Sequence, residues 1–358
     1  MYDYRDPRLS ILNVAQKSGI VLIRQTSNEE FMARCPFCGD SEKNPKHGHL
    51  MLNIEKDAYH CTRCGEKGFA IGLYARLHGI SNSQAFKELM NMAPETTPKI
   101  KIKKIHQSPV ANINERDKTY RAFLDKLTLK GEHLQNLIRR GLSWEETGRN
   151  LYKSVPTAPQ ERLRICNELL QEGLNLKGIP GFFQVQKENQ TYWDFYSDNG
   201  FFIPVKDIQG RIQGMQIRLD DDNVRKYVWF SSKGKLNGTP AHAWIGVHGV
   251  PAKTVLVTEG PLKADIAHYL SRYTFVSVAG VDAIKGIEQV LKELGAKRVF
   301  IAYDMDLKSN KNVQKAKDKL EKKLVQAGFE VHDKTWEERL GKGIDDYLLA
   351  RKKSQKVV

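Results

Sequence analysis

Two pairs of cysteines dominate the N-terminal part of this chain. Cys35-Pro36-Phe37-Cys38 and Cys61-Thr62-Arg63-Cys64 are both CxxC pairs, and 22 residues separate them. Each pair can form a tight turn that directs both sulfurs at one ion, and two such turns supply the four thiolates of a tetrahedral zinc site. Redox dithiols would instead require a thioredoxin-like βαβ context, which is absent around both pairs. The spacing therefore predicts a zinc ribbon with Cys35, Cys38, Cys61 and Cys64 as ligands.

The residues around the cysteines refine this prediction. Gly39 and Gly65 directly follow the second cysteine of each pair, where a turn favours a residue that can adopt positive φ. Four thiolates already complete the coordination shell, so we expect the neighbouring histidines not to bind the metal. These histidines are His47, His49 and His60. Cys166 stands alone in a helical stretch and is expected to be a core thiol.

The charge balance indicates a polyanionic partner. The 358 residues include 57 Lys and Arg against 42 Asp and Glu, which gives a net charge of +15. Nucleic acid is the first candidate for such a chain, and a solvated basic surface is the alternative. Cations and aromatic rings lie close to the cysteines, a mixture that suits single-stranded nucleic acid because rings stack on bases and cations meet phosphates. They are Arg34, Lys43, Lys46, Lys56, Arg63 and Lys67, with Phe37, Tyr59 and Phe69. No apolar run of about 18 residues occurs, so we expect no membrane span.

The length of the chain predicts two or three domains. We predict a zinc-binding domain over residues 1–93, a basic linker over 94–113, a mixed α+β basic subdomain over 114–250 and a parallel-sheet α/β domain over 251–358. Two prolines and a run of lysines indicate the linker. In the last block, continuous apolar strands alternate with amphipathic helices, a pattern typical of a parallel sheet covered on both faces. The predicted fold class is α/β multidomain.

The predicted elements of the two C-terminal blocks follow from apolar periodicity. The expected strands are Phe201–Val205, Ile212–Leu219, Tyr227–Phe230, Thr254–Val257, Thr274–Val278 and Val299–Tyr303. The expected helices are Pro261–Ser271, Asp282–Leu294 and Lys311–Ala327.

Carboxylates follow two of these strands. Glu259 follows the strand that begins at Thr254, Asp304 and Asp306 follow the strand that begins at Val299, and Asp345-Asp346 comes near the end of the chain. Ligands of parallel sheets bind beyond the carboxyl ends of the strands, so we expect these side chains to share one edge. Clustered carboxylates repel one another unless cations are present, and hard oxygen ligands select magnesium or manganese. Two such ions could align a 3′-hydroxyl with a phosphate.

These motifs resemble those of a known family. Glu259-Gly260, Asp304-Met305-Asp306 and Gly343-Ile344-Asp345-Asp346-Tyr347 resemble the Toprim motifs shared by DnaG-type primases, topoisomerases and some nucleases. The two cysteine pairs resemble the zinc-binding domain of the same primases, and residues 203–218 with Lys226-Tyr227 are similar to the basic half of the primase core. The order of zinc module, basic subdomain and Toprim domain is specific to primases.

Two positions depart from the family pattern. Cys38 stands where cellular primases usually have histidine, which makes the chain closer to the phage type. Lys263 stands where those primases have an aspartate, four residues after Glu259, and Asp265 comes two residues later. The roles of Lys263, Asp265 and Asp345 therefore stay open at this point.

The resemblance implies a DNA primase of phage or mobile-element type. Such an enzyme is a nucleotidyltransferase that makes short RNA primers from ribonucleoside triphosphates on single-stranded DNA, in the cytoplasm of a bacterial cell or a phage-infected host. The implied catalytic residues are Glu259, Asp304 and Asp306, which with Asp346 would hold magnesium or manganese. The implied nucleotide or nucleic-acid contacts are Arg211, Arg218, Lys226 and Lys263, each of which could instead be an ordinary surface cation.

Two rival functions remain. The first rival is a Toprim nuclease or topoisomerase, which shares the carboxylates. A topoisomerase, however, needs a domain with an attacking tyrosine. Nucleases of this type often accompany an ATPase, and the phosphate-loop motif of an ATPase is absent from this sequence. A non-catalytic single-stranded-DNA-binding replication protein is the second rival; the intact carboxylates argue against it, but Lys263 keeps it open. Only eleven residues follow Tyr347, so we expect a replicative helicase to act in trans.

Overall fold

The computed structural model describes residues 6–27, 29–39, 48–92, 106–187, 190–221, 226–280, 283–305 and 311–355. The chain divides into two compact units, one comprising Met1–Gln107 with Gly234–Leu236 and the other Ser108–Lys233 with Asn237–Val358. Residues 94–105 of the predicted linker lie outside the described residues, and so do Lys43, Lys46, His47 and Asp306. Among the helices that are described, none is long and apolar enough to cross a membrane.

The first unit is built on an antiparallel sheet whose strands follow one another in sequence order. The strands are β1 (Leu22–Gln25), β2 (Glu30–Ala33), β3 (Leu50–Asn53), β4 (Ala58–Cys61) and β5 (Lys67–Phe69). The helices are α1 (Ile11–Lys17), α2 (Ala70–His78) and α3 (Asn82–Asn91). In the β3–β4 hairpin, Leu50 pairs with Cys61, so the hairpin carries the second cysteine pair.

Alternation along the strands gives this sheet one buried face. Phe31, Leu52 and Tyr59 are cross-strand neighbours on that face and pack in the core with the helices, which contribute Val14 and Leu73. Period-2 alternation then directs the intervening side chains to the opposite face. Helix α3 begins after Ser81, which caps it in a reciprocal capping box with Gln84.

The N-terminal half of the second unit combines helices with an antiparallel sheet. The helices are α4 (Ile113–Asp125), α5 (Gly131–Arg139), α6 (Trp144–Arg149) and α7 (Pro159–Gln171). The strands are β6 (Lys153–Ser154), β7 (Phe182–Lys187), β8 (Gln190–Phe195), β9 (Gly200–Lys206), β10 (Ile212–Leu219) and β11 (Tyr227–Trp229). The sheet has the order β11-β10-β9-β6, and β7 and β8 form a separate hairpin.

A cluster of phenylalanines forms the core of this half. The ring of Phe123 on α4 lies 5.2 Å from Phe182 and 5.4 Å from Phe202, both edge to face, and Phe230 lies 5.1 Å from Phe202. Edge-to-face pairs add to the burial of the rings because the positive edge of one meets the negative face of the other. Cys166 on α7 is fully buried in the same core, and burial raises the pKa of its thiol to about 12. The predicted core thiol is therefore confirmed.

The C-terminal half of the second unit is a five-stranded sheet in the order β12-β14-β13-β15-β16. The strands are β12 (Gly246–His248), β13 (Thr254–Glu259), β14 (Thr274–Val278), β15 (Arg298–Ile301) and β16 (Glu330–Asp333). The helices are α8 (Pro261–Ser271), α9 (Ile287–Glu293), α10 (Lys311–Gln326) and α11 (Ile344–Gln355). All neighbours pair in parallel except β12, an antiparallel edge strand that the sequence did not predict.

Helices cover this sheet on both faces, as predicted. On one face Leu256 packs with Ala264 of α8 and Ile344 of α11. On the other, Val257 packs with Leu291 of α9 and Leu320 of α10. The predicted α/β multidomain fold, with an N-terminal ribbon and a C-terminal parallel sheet, is confirmed; the domain boundaries themselves stay predictions.

Element bounds agree where the sequence carries a start or stop signal. Helix Pro261–Ser271 and strand Thr274–Val278 have the predicted bounds. The prediction of a helix from Asp282 is wrong at its start, because α9 begins only at Ile287. Gly286, at φ +83°, ends a turn there and directs the chain into the helix.

Candidate functional site

The four sulfurs of the cysteine pairs converge on one point in the first unit. All four lie within 4.8 Å of one another, with 3.8 Å between Cys35 and Cys64 and 3.9 Å between Cys38 and Cys61. A tetrahedron with Zn–S bonds of about 2.3 Å requires sulfur separations of about 3.8 Å. The thiols therefore fit a tetrahedral zinc ion.

Local geometry explains how the chain reaches this arrangement. Gly39 and Gly65 adopt φ of +59° and +75° directly after the second cysteine of each pair, as the sequence predicts. Burial raises the pKa of the Cys35 thiol, so a thiolate at this position needs a cation beside it. Neither His49 nor His60 joins the cluster of ligand atoms formed by the described residues.

The outer face of the first unit's sheet carries a row of basic and soft side chains. Arg24, Met32, Met51, His60 and Lys67 are successive cross-strand partners from β1 to β5. Arg24, His60 and Lys67 are exposed, and the two methionines are half-buried. We call these five residues, with Phe69, the ribbon face.

The aromatic residues near the cysteines divide into two groups. Phe69 is 70% exposed at the end of β5. Tyr59 is buried, its hydroxyl donates to Glu66 Oε1 at 3.2 Å, and Phe37 stacks on it in the core. The expectation that all three rings are available to bases is therefore wrong for Tyr59, because the small ribbon needs this ring to build its own core, while Phe37 is half-buried against it.

Carboxylates and cations meet in a cleft of about 590 Å³ in the second unit. Glu259 is the last residue of β13, Asp304 follows β15, and Asp345 and Asp346 lie in the first turn of α11. This placement at the carboxyl ends of neighbouring parallel strands is the one that the sequence predicts. The cleft is lined by Asn136, Arg140, Arg218, Lys226, Tyr227, Glu259, Gly260, Lys263, Ala279, Gly280, Asp304, Lys342, Gly343, Asp345 and Asp346.

Lys263 lies between two of the carboxylates. Its Nζ donates to Asp304 Oδ1 and lies 3.5 Å from Glu259 Oε1. Gly260, at φ +82°, turns the chain from β13 into α8 and brings Lys263 back over Glu259, four residues earlier. Burial lowers the pKa of Lys263, but the neighbouring carboxylates of Asp304 and Glu259 outweigh burial. The net shift of this pKa is upward, so the ammonium stays charged. Burial raises the pKa of Glu259, Lys263 lowers it and Asp304 raises it, with a net upward shift.

Asp345 is the most deeply buried of the carboxylates that the structure describes in the cleft. Arg140, at the end of α5, donates to its Oδ2 at 2.8 Å, while its Oδ1 is buried without a hydrogen-bond partner among the described residues. Gly343 permits this arrangement, because a Cβ there would lie 2.5 Å from Asp345 Oδ1 and 3.4 Å from Asp304 Oδ1. Burial raises the pKa of Asp345, and Arg140 partly offsets the rise.

The other predicted acidic residues have different surroundings. Asp346 lines the cleft, and its Oδ2 accepts from the backbone N–H of Gly343 at 3.2 Å, so it stabilises the start of α11. Asp265 lies in a buried network in which it accepts from Tyr152 and is 2.6 Å from His248 Nδ1. The carboxylate of Asp265, on α8, therefore connects the two halves of the unit, because Tyr152 belongs to the N-terminal half and His248 to the C-terminal half.

The predicted phosphate contacts also separate. Arg218 and Lys226 line the cleft from the end of β10 and the start of β11, and the Arg218 guanidinium lies over the Tyr227 ring at 5.7 Å. Arg211 does not line it; in the turn between β9 and β10, its Nε donates to Asp207 Oδ2 at 2.8 Å. Arg140 also lines the cleft, and no sequence motif indicates it.

Comparison with known proteins gives two family matches. Residues 4–105 match the CHC2 zinc finger, which supports zinc as the metal of the four thiols. Residues 243–355 match a domain of unknown function, DUF3854.

Curated relatives and a solved structure point the same way. The chain is 27% identical over 235 residues to a DNA primase of Haemophilus influenzae, covering 62% of this chain and 38% of that protein. It is 22% identical over 342 residues to a DNA primase of Lactococcus lactis, covering 88% of this chain and 50% of that protein. The zinc-binding and RNA polymerase domains of the Aquifex aeolicus primase superpose with a TM-score of 0.52 at 17% identity, covering 100% of this chain and 85% of that chain.

The chain is therefore similar to DnaG-type DNA primases with a CHC2 zinc finger, and the predicted resemblance is confirmed. The solved structure shows that the fold is shared across both units. The chain spans half or less of the length of these two curated relatives. The Toprim assignment and the phage origin stay predictions.

Proposed function

We propose that this chain is a DNA primase, a nucleotidyltransferase that joins ribonucleotides into short RNA primers on single-stranded DNA. One observation carries the proposal. Glu259 and Asp304, from the parallel sheet, share one cleft with Arg218 and Lys226, from the antiparallel sheet. Carboxylate oxygens bind magnesium, and guanidinium and ammonium groups bind phosphates. A cleft of about 590 Å³ also has the size of a small-molecule site and so can hold a nucleotide.

The side chains of the cleft would divide the work of nucleotidyl transfer. Glu259 and Asp304 would hold magnesium or manganese, with Asp345 and, from the predicted set, Asp306 and Asp346. When bound, the metal would neutralise charge on the α-phosphate and on the pyrophosphate that leaves. Arg218, Lys226 and Lys263 would pair with phosphates of the incoming nucleotide or the template hybrid. Arg211 lies in a turn outside the cleft and would contact the nucleic-acid backbone farther from the reacting phosphate.

Template binding is the role we propose for the ribbon face. Its cations can meet phosphates, while Phe69 and the two methionines offer apolar surface to unstacked bases. Zinc would fix the turns that hold β4 and β5 in register, because Cys61 ends β4 and Cys64 precedes β5. Zinc would thus affect template binding indirectly, by stabilising the sheet that carries the ribbon face.

The proposal is tested with the zinc-loaded chain, single-stranded DNA, labelled ribonucleotides and magnesium. New short RNA is the expected product, and Glu259→Ala and Asp304→Ala should abolish it while single-strand affinity is kept. Asp125→Ala, which removes an exposed carboxylate at the end of α4, is the matched control and should leave the yield unchanged. Shortened DNA would identify a nuclease, and binding without either product would identify a passive single-strand binder; both results overturn the proposal.

A replicative helicase is the partner that we propose in trans, in the cytoplasm of a bacterial cell or a phage-infected host. The support is chemical, since the template of a primase must first be unwound. Co-purification from the native host tests the partner. If no replication protein is recovered and synthesis on bare single strands is already efficient, the partner proposal fails.

A further inference from the structure

Lys263 is an ammonium inside a cluster of carboxylates, and its position raises the question of how many metal ions the cleft can hold. The Nζ atom contacts Asp304 Oδ1 and lies 3.5 Å from Glu259 Oε1, and only 15% of the side chain is exposed. Two metal ions that act together on a phosphate lie about 3.5–4 Å apart and share carboxylate ligands. A second ion bridging Glu259 and Asp304 would have to enter the space that the ammonium occupies.

The described carboxylates of the cleft do not converge on one point. Glu259, Asp304 and Asp345 do not bring three oxygens within 4.8 Å of one another, whereas the four thiols of the ribbon do bring their sulfurs that close. Lys263 pairs with both Glu259 and Asp304, so its ammonium already stands where an ion shared by these two carboxylates would bind. The two acidic residues are thus already neutralised in part by the protein itself.

One carboxylate oxygen of the described cluster is left without a hydrogen-bond partner. Asp345 Oδ1 is buried and has no hydrogen-bond partner among the described residues. It lies beside Gly343 on the side that also faces Asp304 Oδ1, because a Cβ added at Gly343 would come close to both oxygens. An anionic oxygen that is buried and unpaired is costly, and a divalent ion shared with Asp304 would satisfy it.

The net charge of the cleft also favours one metal ion rather than two. Its lining carries the carboxylates of Glu259, Asp304, Asp345 and Asp346. It also carries the cations of Arg140, Arg218, Lys226, Lys263 and Lys342. Among the described residues five cations already face four carboxylates, so one divalent ion adds charge that a triphosphate can balance, whereas a pair of ions would leave the cleft strongly positive before substrate binds.

We propose that Lys263 is a built-in cation that takes the place of a second metal ion, so that the cleft binds one divalent ion per chain, between Asp304 and Asp345. Lys263 is then a positioning residue whose ammonium pairs with Glu259 and Asp304 together. The inference rests on the proposed function only in assigning a divalent metal to this cleft.

The test counts manganese ions on the zinc-loaded full chain by electron paramagnetic resonance. The wild-type chain should bind one Mn²⁺, with the spectrum of an isolated ion. Lys263→Ala should bind two, and their spectra should broaden through spin coupling at short separation. Lys263→Arg, which keeps the charge, should stay at one. Lys226→Ala removes a cation from the same cleft without vacating the space between Glu259 and Asp304, so it should also stay at one.

Two coupled ions on the wild-type chain would overturn the inference, because Lys263 would then yield its place to metal. An equal gain of an ion in Lys226→Ala would also overturn it, since net charge alone would explain the count. If Lys263→Ala does not fold, the wild-type and Lys263→Arg counts still decide. Primer synthesis is measured separately. If the wild-type chain binds one ion and makes no RNA, only the proposed function is contradicted. If it binds two ions and makes RNA, only this inference is contradicted.

Discussion

The guanidinium of Arg140 donates to Asp345 Oδ2 at 2.8 Å and so joins the end of α5 to the first turn of α11. The side chain of Asp345 is 4% exposed, and the side chain of Arg140 is 28% exposed. The pair therefore links the helical half of the second unit to the parallel sheet through the floor of the cleft.

Removing Arg140 should leave a buried carboxylate without its charge partner. Truncating one partner of a buried pair costs about 3 kcal/mol, which for a unit of this size lowers Tm by roughly 5–10 °C. We expect Arg140→Ala to lower the melting transition of the second unit by that amount, measured by circular dichroism. Arg139→Ala, which removes an exposed neighbour on α5, should shift it by less than about 2 °C. Equal shifts in the two variants would show that the ion pair contributes little.

Loss of a cysteine ligand should act on the first unit alone. Cys61 is fully buried at the end of β4, and its sulfur lies 3.9 Å from that of Cys38. Cys61→Ser should therefore release zinc, measured by atomic emission, and abolish the melting transition of the first unit while that of the second is retained. Cys166→Ala is the matched control, because it removes a buried thiol from the second unit and should leave the zinc content unchanged. Retention of zinc by Cys61→Ser would contradict the assignment of the site.

The network around Asp265 gives a prediction about pH. Burial alone would raise the pKa of Asp265, but His248, Lys206 and Tyr152 together lower it below its usual value. The folded state thus binds this proton less readily than the unfolded state does, so the stabilisation is present above about pH 4 and is lost as pH falls through the lowered pKa. Asp265→Asn should destabilise the second unit by about 1–3 kcal/mol at pH 7.

The pH dependence separates this charge effect from a simple loss of packing. The difference in stability between wild type and Asp265→Asn should shrink as pH falls below about 4, measured by urea denaturation at each pH. Asp125→Asn, on an exposed carboxylate of the same unit, should show little difference at any pH. A destabilisation by Asp265→Asn that is constant from pH 7 to pH 3 would contradict the charged network.

The parts of the site that depend on local spacing could be predicted from the sequence, and those that depend on distant contacts could not. Cysteine spacing alone predicts the zinc cluster, and a carboxylate after an apolar strand predicts the placement of Glu259 and Asp304. Arg140 lies 205 residues from Asp345, and no local pattern indicates that they pair. The position of Lys263 four residues after Glu259 predicts proximity on a helix start, but its contact with Asp304 depends on the order of the strands.

The same distinction explains the errors in the elements. Apolar periodicity continues upstream of α9, so a helix from Asp282 is the natural prediction, yet Gly286 adopts positive φ and the helix starts one residue later, at Ile287. Tyr59 has a ring that could stack on a base, but its burial in the small ribbon assigns it to the core. Composition shows which chemistry a residue offers, whereas packing decides whether solvent or a ligand reaches it.

The ribbon face should bind single strands by a mixture of counterion release and stacking. Lys67 is exposed on β5, and Phe69 is 70% exposed two residues later on the same side of the strand. Each phosphate contact contributes about −0.7 to the slope of log affinity against log salt, so Lys67→Ala should make the slope less steep by about that amount. Phe69→Ala should weaken binding by about tenfold and leave the slope unchanged, because stacking of one base is worth about 1–3 kcal/mol and releases no counterions. Fluorescence anisotropy with labelled single strands at several salt concentrations measures both quantities.

Lys87→Ala, which removes an exposed cation on α3, is the control and should keep the wild-type slope. If Lys67→Ala and Lys87→Ala change the slope equally, the first unit binds DNA through its general positive charge, and the ribbon face has no special role.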